Sequence, residues 1–558
     1  MRFALRAAGA VATFWACCAV APMPFAQAQS VSPAPSATPS ASLPFEAVPV
    51  IEEATPVPKP TLRASTVRPA AAGADWSASE IARLDEELDA LLADSAAIRG
   101  AHVGVVAVDS RDGKTLYARH GDDEFQPAST LKLLVGSVSL ERLGPTYRFR
   151  TIAYVKGVAG EPARREGDAL VGSLVLRGGG DPLLSTHDLA GFAAAVSRLG
   201  IARIVSGSLA VDPSHFDRAP YPEGWVWDDF AQDYAPVVAA TTIEENVIHL
   251  FARPRSDESG WLAVSAQPLR DVLRAAPESC APSFDVVVIS RARVLPAGSQ
   301  SSLDVAREGN GCIDVIGGIP AGENGESIDA AVPSPEAYAY RIAAQQLGDA
   351  GIDPGMYRSA SPPPWDFTTG AMPAGAPIVW SHLGPPLGSW LGPRFWIPSD
   401  NLAAELLLKE IGCGAGGEPG TTAKGIAFER QFLRAIGVDP KTVTLADGSG
   451  LSQYDRITPR DLVAILQHDW NGPHRDLVLD SLPIGGARGT IEGIAGTPVA
   501  GRVVAKTGSM SHVRGLAGYL ATERHGAVTF AFNVDDWNGD NAALAALRAN
   551  ALARIAAM

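Results

Sequence analysis

Pro127–Lys132 reads Pro-Ala-Ser-Thr-Leu-Lys, and an apolar run, Leu133–Val135, follows it directly. Residues i and i+3 share one face of a helix, so a helical segment here brings Ser129 Oγ within hydrogen-bond reach of Lys132 Nζ. A buried lysine can lose its proton near neutral pH and then take one from a serine. Ser129 is therefore a candidate acylating nucleophile that needs no histidine. Alone the spacing is a weak signal, because about one such match arises by chance in a chain this long.

Two further motifs follow in a fixed order. Ser399–Asn401 reads Ser-Asp-Asn before an apolar segment, and Lys506–Gly508 reads Lys-Thr-Gly after a strand-like run, Arg502–Ala505. Singly, Ser399 is as consistent with a simple helix cap, and the second motif with a strand end that enters a turn. The ordered trio Ser-x-x-Lys, Ser-x-Asn and Lys-Thr-Gly is the pattern of penicillin-binding proteins and class A β-lactamases.

Longer segments extend the match beyond the trio. The chain resembles the D-alanyl-D-alanine carboxypeptidase/endopeptidases, the class C low-molecular-mass penicillin-binding proteins, from roughly Trp76 to its end. The segments that carry the resemblance are Phe125–Lys132, Leu143–Phe149, Gly178–Ser185, Gly224–Asp229, Tyr234–Pro236, Pro398–Leu402, Asp447–Ser452 and Lys506–Tyr519.

The resemblance implies an α/β (α+β) catalytic domain of the serine β-lactamase and penicillin-binding-protein type, with inserted β-rich modules. Residues 76–148 and 384–558 would form that domain, and residues 149–383 the insertion, commonly two nested modules. The residue pattern agrees, because it predicts a helix and a hairpin (Val103–Val108 with Thr115–Ala118) near the start, and strands plus a helix at the end. We expect one sheet built from both ends of the chain.

Acyl transfer assigns a role to each motif residue. We expect Ser129 to attack and Lys132 to act as its base, with the nearby cation Lys506 helping to lower the pKa of Lys132. Ser399 can relay a proton to the leaving amine, and Asn401 can hold the substrate amide.

The third motif supplies contacts to the substrate. Lys506 and Thr507 offer a charge and a hydroxyl to a terminal carboxylate, and Gly508 permits close approach along the strand. The resemblance implies an oxyanion hole made of the backbone N–H groups of Ser129 and Ser509.

The resemblance also points to residues of the insertion. Asp229 and Tyr234 match family positions that approach the peptide stem, although a loop cap and a packing residue explain them equally well. Many family members carry arginine where this chain has Gln453. This departure affects the predicted binding of part of the substrate. It does not affect the residues predicted to carry out acyl transfer.

By resemblance, the chain is a serine D-Ala-D-Ala carboxypeptidase or endopeptidase that acts on peptidoglycan stem peptides or cross-links, and β-lactam antibiotics acylate the same serine. Both activities pass through one acyl-enzyme, so the sequence does not separate them. A β-lactamase or esterase that uses the same trio is the first alternative. A catalytically silent peptidoglycan-binding protein is the second, and the intact trio speaks against it.

The N-terminus predicts export. Two arginines, an apolar run and Ala26–Ala28 are typical of a signal peptide over residues 1–28, which favours a soluble periplasmic protein over a lipoprotein. Residues 29–75 are rich in Pro, Ala and Ser and read as a linker. Loss of the two arginines changes the formal charge from −15 to −17, which argues against nucleic acid and anionic membranes as partners.

Three cysteines remain after such processing: Cys280, Cys312 and Cys413. In an oxidising compartment Cys280 and Cys312 either form a disulfide or remain two separate buried thiols. The histidines and cysteines do not cluster at metal-ligand spacing in the sequence, so we expect no metal, and we expect no cofactor.

Overall fold

The structure, a computed structural model, describes residues 52–54, 73–255, 259–274, 286–308, 311–355 and 372–558. The predicted signal peptide lies outside the described residues, as does most of the predicted linker. Within that linker, however, Glu52–Ala54 forms a short strand that pairs in parallel with Ser381–Leu383. Among the helices of the described ranges, none has both the length and the apolar character needed to cross a bilayer.

Most of the longer helices begin at a side-chain cap. Ser77 and Glu80 form a capping box, since each side chain bonds the backbone N–H of the other. The helices of the described residues are α1 (Ala78–Ala93), α2 (Lys132–Arg142), α3 (Thr186–Arg198), α4 (Pro335–Asp349), α5 (Leu387–Trp390), α6 (Asn401–Gly416), α7 (Thr422–Ala435), α8 (Pro459–Asn471), α9 (Arg475–Ser481) and α10 (Asn541–Ala557).

The strands fall into one sheet near the chain ends and several sheets in the middle. Over the same residues they are β1 (Glu52–Ala54), β2 (His102–Asp109), β3 (Thr115–Arg119), β4 (Arg150–Lys156), β5 (Arg164–Glu166), β6 (Ala169–Arg177), β7 (Arg203–Asp212), β8 (Val247–Pro254), β9 (Leu262–Gln267), β10 (Leu273–Arg274), β11 (Val287–Ser290), β12 (Arg293–Leu295), β13 (Asp304–Glu308), β14 (Cys312–Ile316), β15 (Gly318–Pro320), β16 (Glu326–Ala331), β17 (Ile378–Leu383), β18 (Val503–Met510), β19 (Val513–Ala521) and β20 (Ala527–Asp535).

One antiparallel sheet joins the two ends of the chain, as expected. Its strand order is β18-β19-β20-β2-β3, and β2 pairs with β20 from His102 opposite Asp535 to Asp109 opposite Val528. Strand β18 runs on to Met510, so the Lys-Thr-Gly motif lies within this strand. The sequence had placed it at the strand end.

Helices cover both faces of this sheet. Successive side chains of a strand point to opposite faces. Val106 and Val108 accordingly join the core that contains α2, α6 and α8, and Val105 and Ala107 join the core that contains α1 and α10. Burial on both faces explains why the sequence of β2 is a continuous apolar run.

The middle of the chain forms further sheets. Strands β4–β7, β17 and β1 make a six-stranded sheet, and smaller sheets of four, three and two strands lie between β8 and β16. The sequence predicted β-rich modules over residues 149–383. The strands of this region agree with that prediction, but helices α3 and α4 were not predicted. The signal for α3 was present, because Leu189, Phe192 and Val196 recur at helical spacing and all three are buried.

The cysteines differ in state. Cys312 is disulfide-bonded, and Cys413 is a buried free thiol. Cys280 lies outside the described residues, so the pairing of Cys280 with Cys312 stays a prediction.

Candidate active site

Ser129 lies in a tight turn between the sheet and helix α2. The turn is a single 3-10 helix, Ala128–Leu131, and the α-helix begins only at Lys132. Ala128 has a φ of +45°, a left-handed conformation that non-glycine residues adopt at a cost. This strained backbone, directly before the candidate nucleophile, is held in place by its neighbours.

Two glycines allow the neighbouring elements to press against this turn. A Cβ on Gly450 would lie 1.9 Å from the carbonyl oxygen of Ala128, and one on Gly508 would lie 2.5 Å from the carbonyl oxygen of Pro127. Both approaches are closer than a side chain permits. Loop 447–452 and strand β18 therefore fix the position of Ser129.

We expect Gly450→Ala to lower the free energy of unfolding by roughly 3 kcal/mol and to abolish acylation, because the new methyl group forces the turn to move. Gly437→Ala is the matched control. Gly437 has a similar φ (+87° against +78°) but open space around its Cβ position, so its cost should be about 1 kcal/mol, without loss of acylation. Urea unfolding and labelling by a fluorescent penicillin measure both. Equal losses in the two variants would show that contact with the turn is unimportant.

Lys132 is the centre of the site. It is fully buried, and its Nζ donates hydrogen bonds to Ser129 Oγ (2.9 Å), Asn401 Oδ1 (2.6 Å) and the Ser449 carbonyl oxygen (2.7 Å). The amide and carbonyl oxygens can only accept. A neutral amine has two N–H bonds and one lone pair, so when it donates to these two oxygens its lone pair faces the Ser129 hydroxyl.

The lowered pKa of Lys132 makes this neutral form accessible near neutral pH. Burial lowers its pKa to about 8, and the carboxylates of Asp447, Glu405 and Asp400 oppose the shift. The sequence predicted that burial would lower this pKa and that repulsion from Lys506 would help. In the structure burial causes it, and the repulsion acts in the other direction: burial and the charge of Lys132 bring the pKa of Lys506 well below its usual value.

Ser399 and Lys506 form the second half of the site. Lys506 Nζ donates to Ser399 Oγ (2.8 Å) and to the Thr507 carbonyl oxygen (3.0 Å). Lys506 is two residues after Val504, so the two side chains point to the same face of the sheet. The side chain of Val504 lies in the core that contains α2. The period of strand β18 thus directs Lys506 towards the same side of the sheet as Ser129.

The segment before α6 has an unusual backbone. Ser399 has a φ of +67°, and a π-helical stretch, Leu391–Trp396, precedes it. The helix is capped by Asp400, which accepts a hydrogen bond from Ala403 N–H. Ser399 is therefore not the cap, and its hydroxyl is left for Lys506.

Asp400→Asn offers a test of electrostatics with the fold preserved, since asparagine caps a helix as well as aspartate. Burial raises the pKa of Asp400 to about 6, so the group is charged above that pH and raises the pKa of Lys132. Loss of this charge should lower the pKa of Lys132 and move the acid limb of the acylation rate to lower pH by ~0.5 unit. Stopped-flow acylation across pH measures the shift. A limb that stays in place, or moves to higher pH, would contradict this account.

Asn401 connects the predicted insertion to Lys132. Its Oδ1 accepts from Lys132, and its Nδ2 donates to the Tyr234 carbonyl oxygen (2.8 Å). The Tyr234 hydroxyl donates to Asp229 Oδ1 (2.7 Å), and the Tyr234 residue is 46% exposed. Packing in a core therefore does not explain Tyr234, and the two predicted insertion residues lie together at the edge of the site.

The remaining third-motif residues line strand β18. Thr507 Oγ1 donates to Thr490 Oγ1 at 2.6 Å. Gly508 lies against the turn that contains Ser129, and Ser509 follows it as an exposed residue of the same strand. The predicted residues thus form two hydrogen-bonded groups, Ser129–Lys132–Asn401 and Ser399–Lys506, while Thr507, Gly508 and Ser509 extend along strand β18.

Sequence reasoning missed the residues that support the site. Glu405 accepts hydrogen bonds from the N–H groups of Gly448 (3.0 Å) and Ser449 (2.8 Å), which orients the Ser449 carbonyl group towards Lys132. Asp447 accepts from the indole N–H of Trp225 (2.8 Å), which belongs to the inserted region. Asp447 and Trp225 lie within the segments that carry the family resemblance, but no sequence signal identified Glu405.

Gln453, the departure from the family pattern, lies between three parts of the chain. Its N–H donates to the Gly224 carbonyl oxygen (3.1 Å), and the side-chain amide of Gln126 donates to its carbonyl oxygen (3.0 Å). The residue therefore links the inserted region to the segment that leads to Ser129.

Most of the chain is similar to known proteins. The model of the D-Ala-D-Ala carboxypeptidase 3 (S13) family matches residues 84–557. A D-alanyl-D-alanine carboxypeptidase of Actinomadura sp. (strain R39) is 32% identical over 457 residues, which are 80% of each chain. The D-alanyl-D-alanine carboxypeptidase DacB of Haemophilus influenzae is 26% identical over 77% of this chain and 85% of that protein.

Solved structures are similar in fold. Penicillin binding protein 4 (dacB) from Haemophilus influenzae superposes with a TM-score of 0.71 at 22% identity, over 85% of this chain and 99% of that one. The same protein in complex with a β-lactam superposes with a TM-score of 0.68 at 21% identity, over 84% and 99% of the two chains. The predicted fold class is confirmed.

Proposed function

Because this chain belongs to the D-Ala-D-Ala carboxypeptidase 3 (S13) family and is a serine-type D-Ala-D-Ala carboxypeptidase, we propose that Ser129 is its nucleophile. The observation that carries the proposal is the position of Lys132 Nζ, which lies 2.9 Å from Ser129 Oγ and 2.6 Å from Asn401 Oδ1. This arrangement supplies a serine with a buried amine as its base.

The first step forms an acyl-enzyme on peptidoglycan stem peptides. Ser129 Oγ attacks the carbonyl carbon of the penultimate D-alanine, and the hydroxyl proton passes to Lys132 Nζ. The backbone N–H groups of Ser129 and Ser509 stabilise the oxyanion. As the C–N bond breaks, Ser399 relays the proton taken up by Lys132 to the amine of the departing D-alanine, which regenerates the neutral lysine. Water then hydrolyses the ester.

Other residues hold the substrate. Lys506 and Thr507 bind the terminal carboxylate, Gly508 lets the peptide approach strand β18, and Asn401 holds the amide. Asp229 and Tyr234, hydrogen-bonded to one another at the edge of the site, contact the peptide stem. We further propose that β-lactams acylate Ser129, supported by the β-lactam complex of the Haemophilus influenzae protein.

Location and domain organisation complete the proposal. Residues 1–28 act as a signal peptide, residues 29–75 as a linker, and the mature protein works in the periplasm. Residues 76–148 and 384–558 form the catalytic domain, with 149–383 inserted. Two hydrogen bonds support a catalytic role for the inserted region. One joins Tyr234 to Asn401 of the second motif, and the other joins Trp225 to Asp447.

The experiment measures D-alanine release from a pentapeptide that ends in D-Ala-D-Ala, alongside cleavage of a cross-linked muropeptide dimer. We expect D-alanine release, and dimer cleavage in addition if the protein is also an endopeptidase. Rapid turnover of nitrocefin without peptide hydrolysis would favour a β-lactamase. Failure to act on the peptides and to bind penicillin covalently would overturn the proposal.

A further inference from the structure

A second cluster of reactive side chains lies where helix α6 contacts the segment after strand β7. One nitrogen of His215, a carboxylate oxygen of Glu410 and the Cys413 sulfur lie within 4.8 Å of one another. Glu418, just beyond α6, places Oε1 at 2.9 Å from His215 Nδ1. The side chains of His215 and Glu410 are only 16% and 7% exposed, so these polar groups are largely withdrawn from water.

The ring of His215 has a defined orientation. Nε2 lies 2.8 Å from Glu410 Oε2, and the other oxygen of Glu410 accepts a hydrogen bond from the Tyr147 hydroxyl (2.7 Å). Nδ1 faces Glu418, with Cys413 Sγ at 4.0 Å. A carboxylate that holds the second nitrogen of a histidine is the usual outer partner of a metal-bound imidazole. Glu410 has that position here.

We propose that this cluster binds a divalent cation of the zinc class through His215 Nδ1, Cys413 Sγ and Glu418 Oε1. Zinc bonds of 2.0–2.3 Å place tetrahedral ligands about 3.4–3.7 Å apart. The present separations from Nδ1, 2.9 Å to Oε1 and 4.0 Å to Sγ, lie on either side of that range, so binding would require these side chains to rotate. Binding displaces the Nδ1 proton and the thiol proton, and water completes the coordination.

The cation would tie the insertion to the catalytic helix. His215 follows β7, whereas Cys413 belongs to α6, whose first residue is Asn401. The sequence predicted no metal site because His215 and Cys413 are 198 residues apart. The alternative is a hydrogen-bonded cluster without a cation, in which the His215 imidazole lies between the carboxylates of Glu410 and Glu418, beside the Cys413 thiol. The experiment below distinguishes a cation site from this cluster.

The test titrates the purified, metal-free full chain with Co²⁺. We expect a thiolate-to-cobalt charge-transfer band that saturates at one equivalent and disappears on addition of Zn²⁺. Cys413→Ser should abolish the band, and Glu410→Gln, which keeps all three ligands, should weaken Zn²⁺ binding by ~10–100-fold. His120→Ala is the control. His120, His102 and Asp123 form another described cluster that lacks sulfur, so its loss should leave the band unchanged.

A second measurement covers the case in which Cys413→Ser does not fold. Thermal unfolding of the wild type should shift to higher temperature with Zn²⁺, because a ligand that binds only the folded state stabilises it. The shift should shrink in Glu418→Gln, which keeps the thiol. Absence of the charge-transfer band in the folded wild type, or a band that persists in folded Cys413→Ser, would overturn the proposal.

Discussion

Ser129→Ala should lower kcat/KM for a D-Ala-D-Ala peptide by about 10⁴-fold and abolish covalent labelling by a fluorescent penicillin. The alanine removes the only oxygen that Lys132 Nζ contacts besides those of Asn401 and Ser449 in the described site. Because those two oxygens remain as acceptors, Lys132 stays bonded and the fold should survive. The expected defect is therefore chemical, and thermal unfolding should change little.

The matched control is Ser299→Ala, which alters an exposed serine in a turn of the inserted region. Its labelling and turnover should equal those of the wild type. Labelling that persists in folded Ser129→Ala would place the nucleophile elsewhere. Peptide hydrolysis that persists without labelling would mean that the reaction does not pass through this acyl-enzyme.

Lys132→Arg should cost about 10³-fold in the acylation rate, although it keeps the positive charge. Arginine remains protonated at all accessible pH values, so it cannot accept the Ser129 proton. The wild-type rate should rise as the pH increases through about 8, the pKa that burial gives Lys132, and this rise should vanish in the variant. Acylation rates measured across pH test both statements.

Lys409→Arg controls for the placement of a larger cation in a buried position. The Lys409 side chain is 1% exposed and pairs with Asp217 at 2.7 Å, away from the trio. Its replacement should leave the pH profile intact. If Lys132→Arg retained most of the wild-type acylation rate, the lysine would act through its charge alone, and its assignment as a base would be wrong.

The sequence could predict what depends on local spacing. The pair Ser129 and Lys132 follows from helix geometry, and the alternation along β18 directs Lys506 to the face that carries the nucleophile. The sequence pattern also predicted that strands from both ends of the chain share one sheet. Burial on two faces leaves a continuous apolar run in such a strand.

Features that depend on distant contacts were beyond such reasoning. Nothing near Glu405 indicates that it orients a loop 43 residues away, and no local pattern predicted the left-handed φ of Ser399 or the π-helical stretch before it. The sequence proposed burial and repulsion from Lys506 together, and only the packed structure shows that burial is the cause of the lowered Lys132 pKa. The sequence predicted which groups react, whereas tertiary packing determines their protonation.

The sheet shared by both chain ends also controls when the proposed active site can form. His102 pairs with Asp535, and Lys506 lies on a strand that follows most of the chain. A chain that emerges from its N-terminus first carries Ser129 and Lys132 early, yet it has no sheet to bury them. Until β18–β20 arrive, Lys132 is hydrated and its pKa is that of a free lysine, so it lacks the lowered pKa on which its proposed role as a base depends. The proposed active site therefore requires the strands from both ends of the sequence.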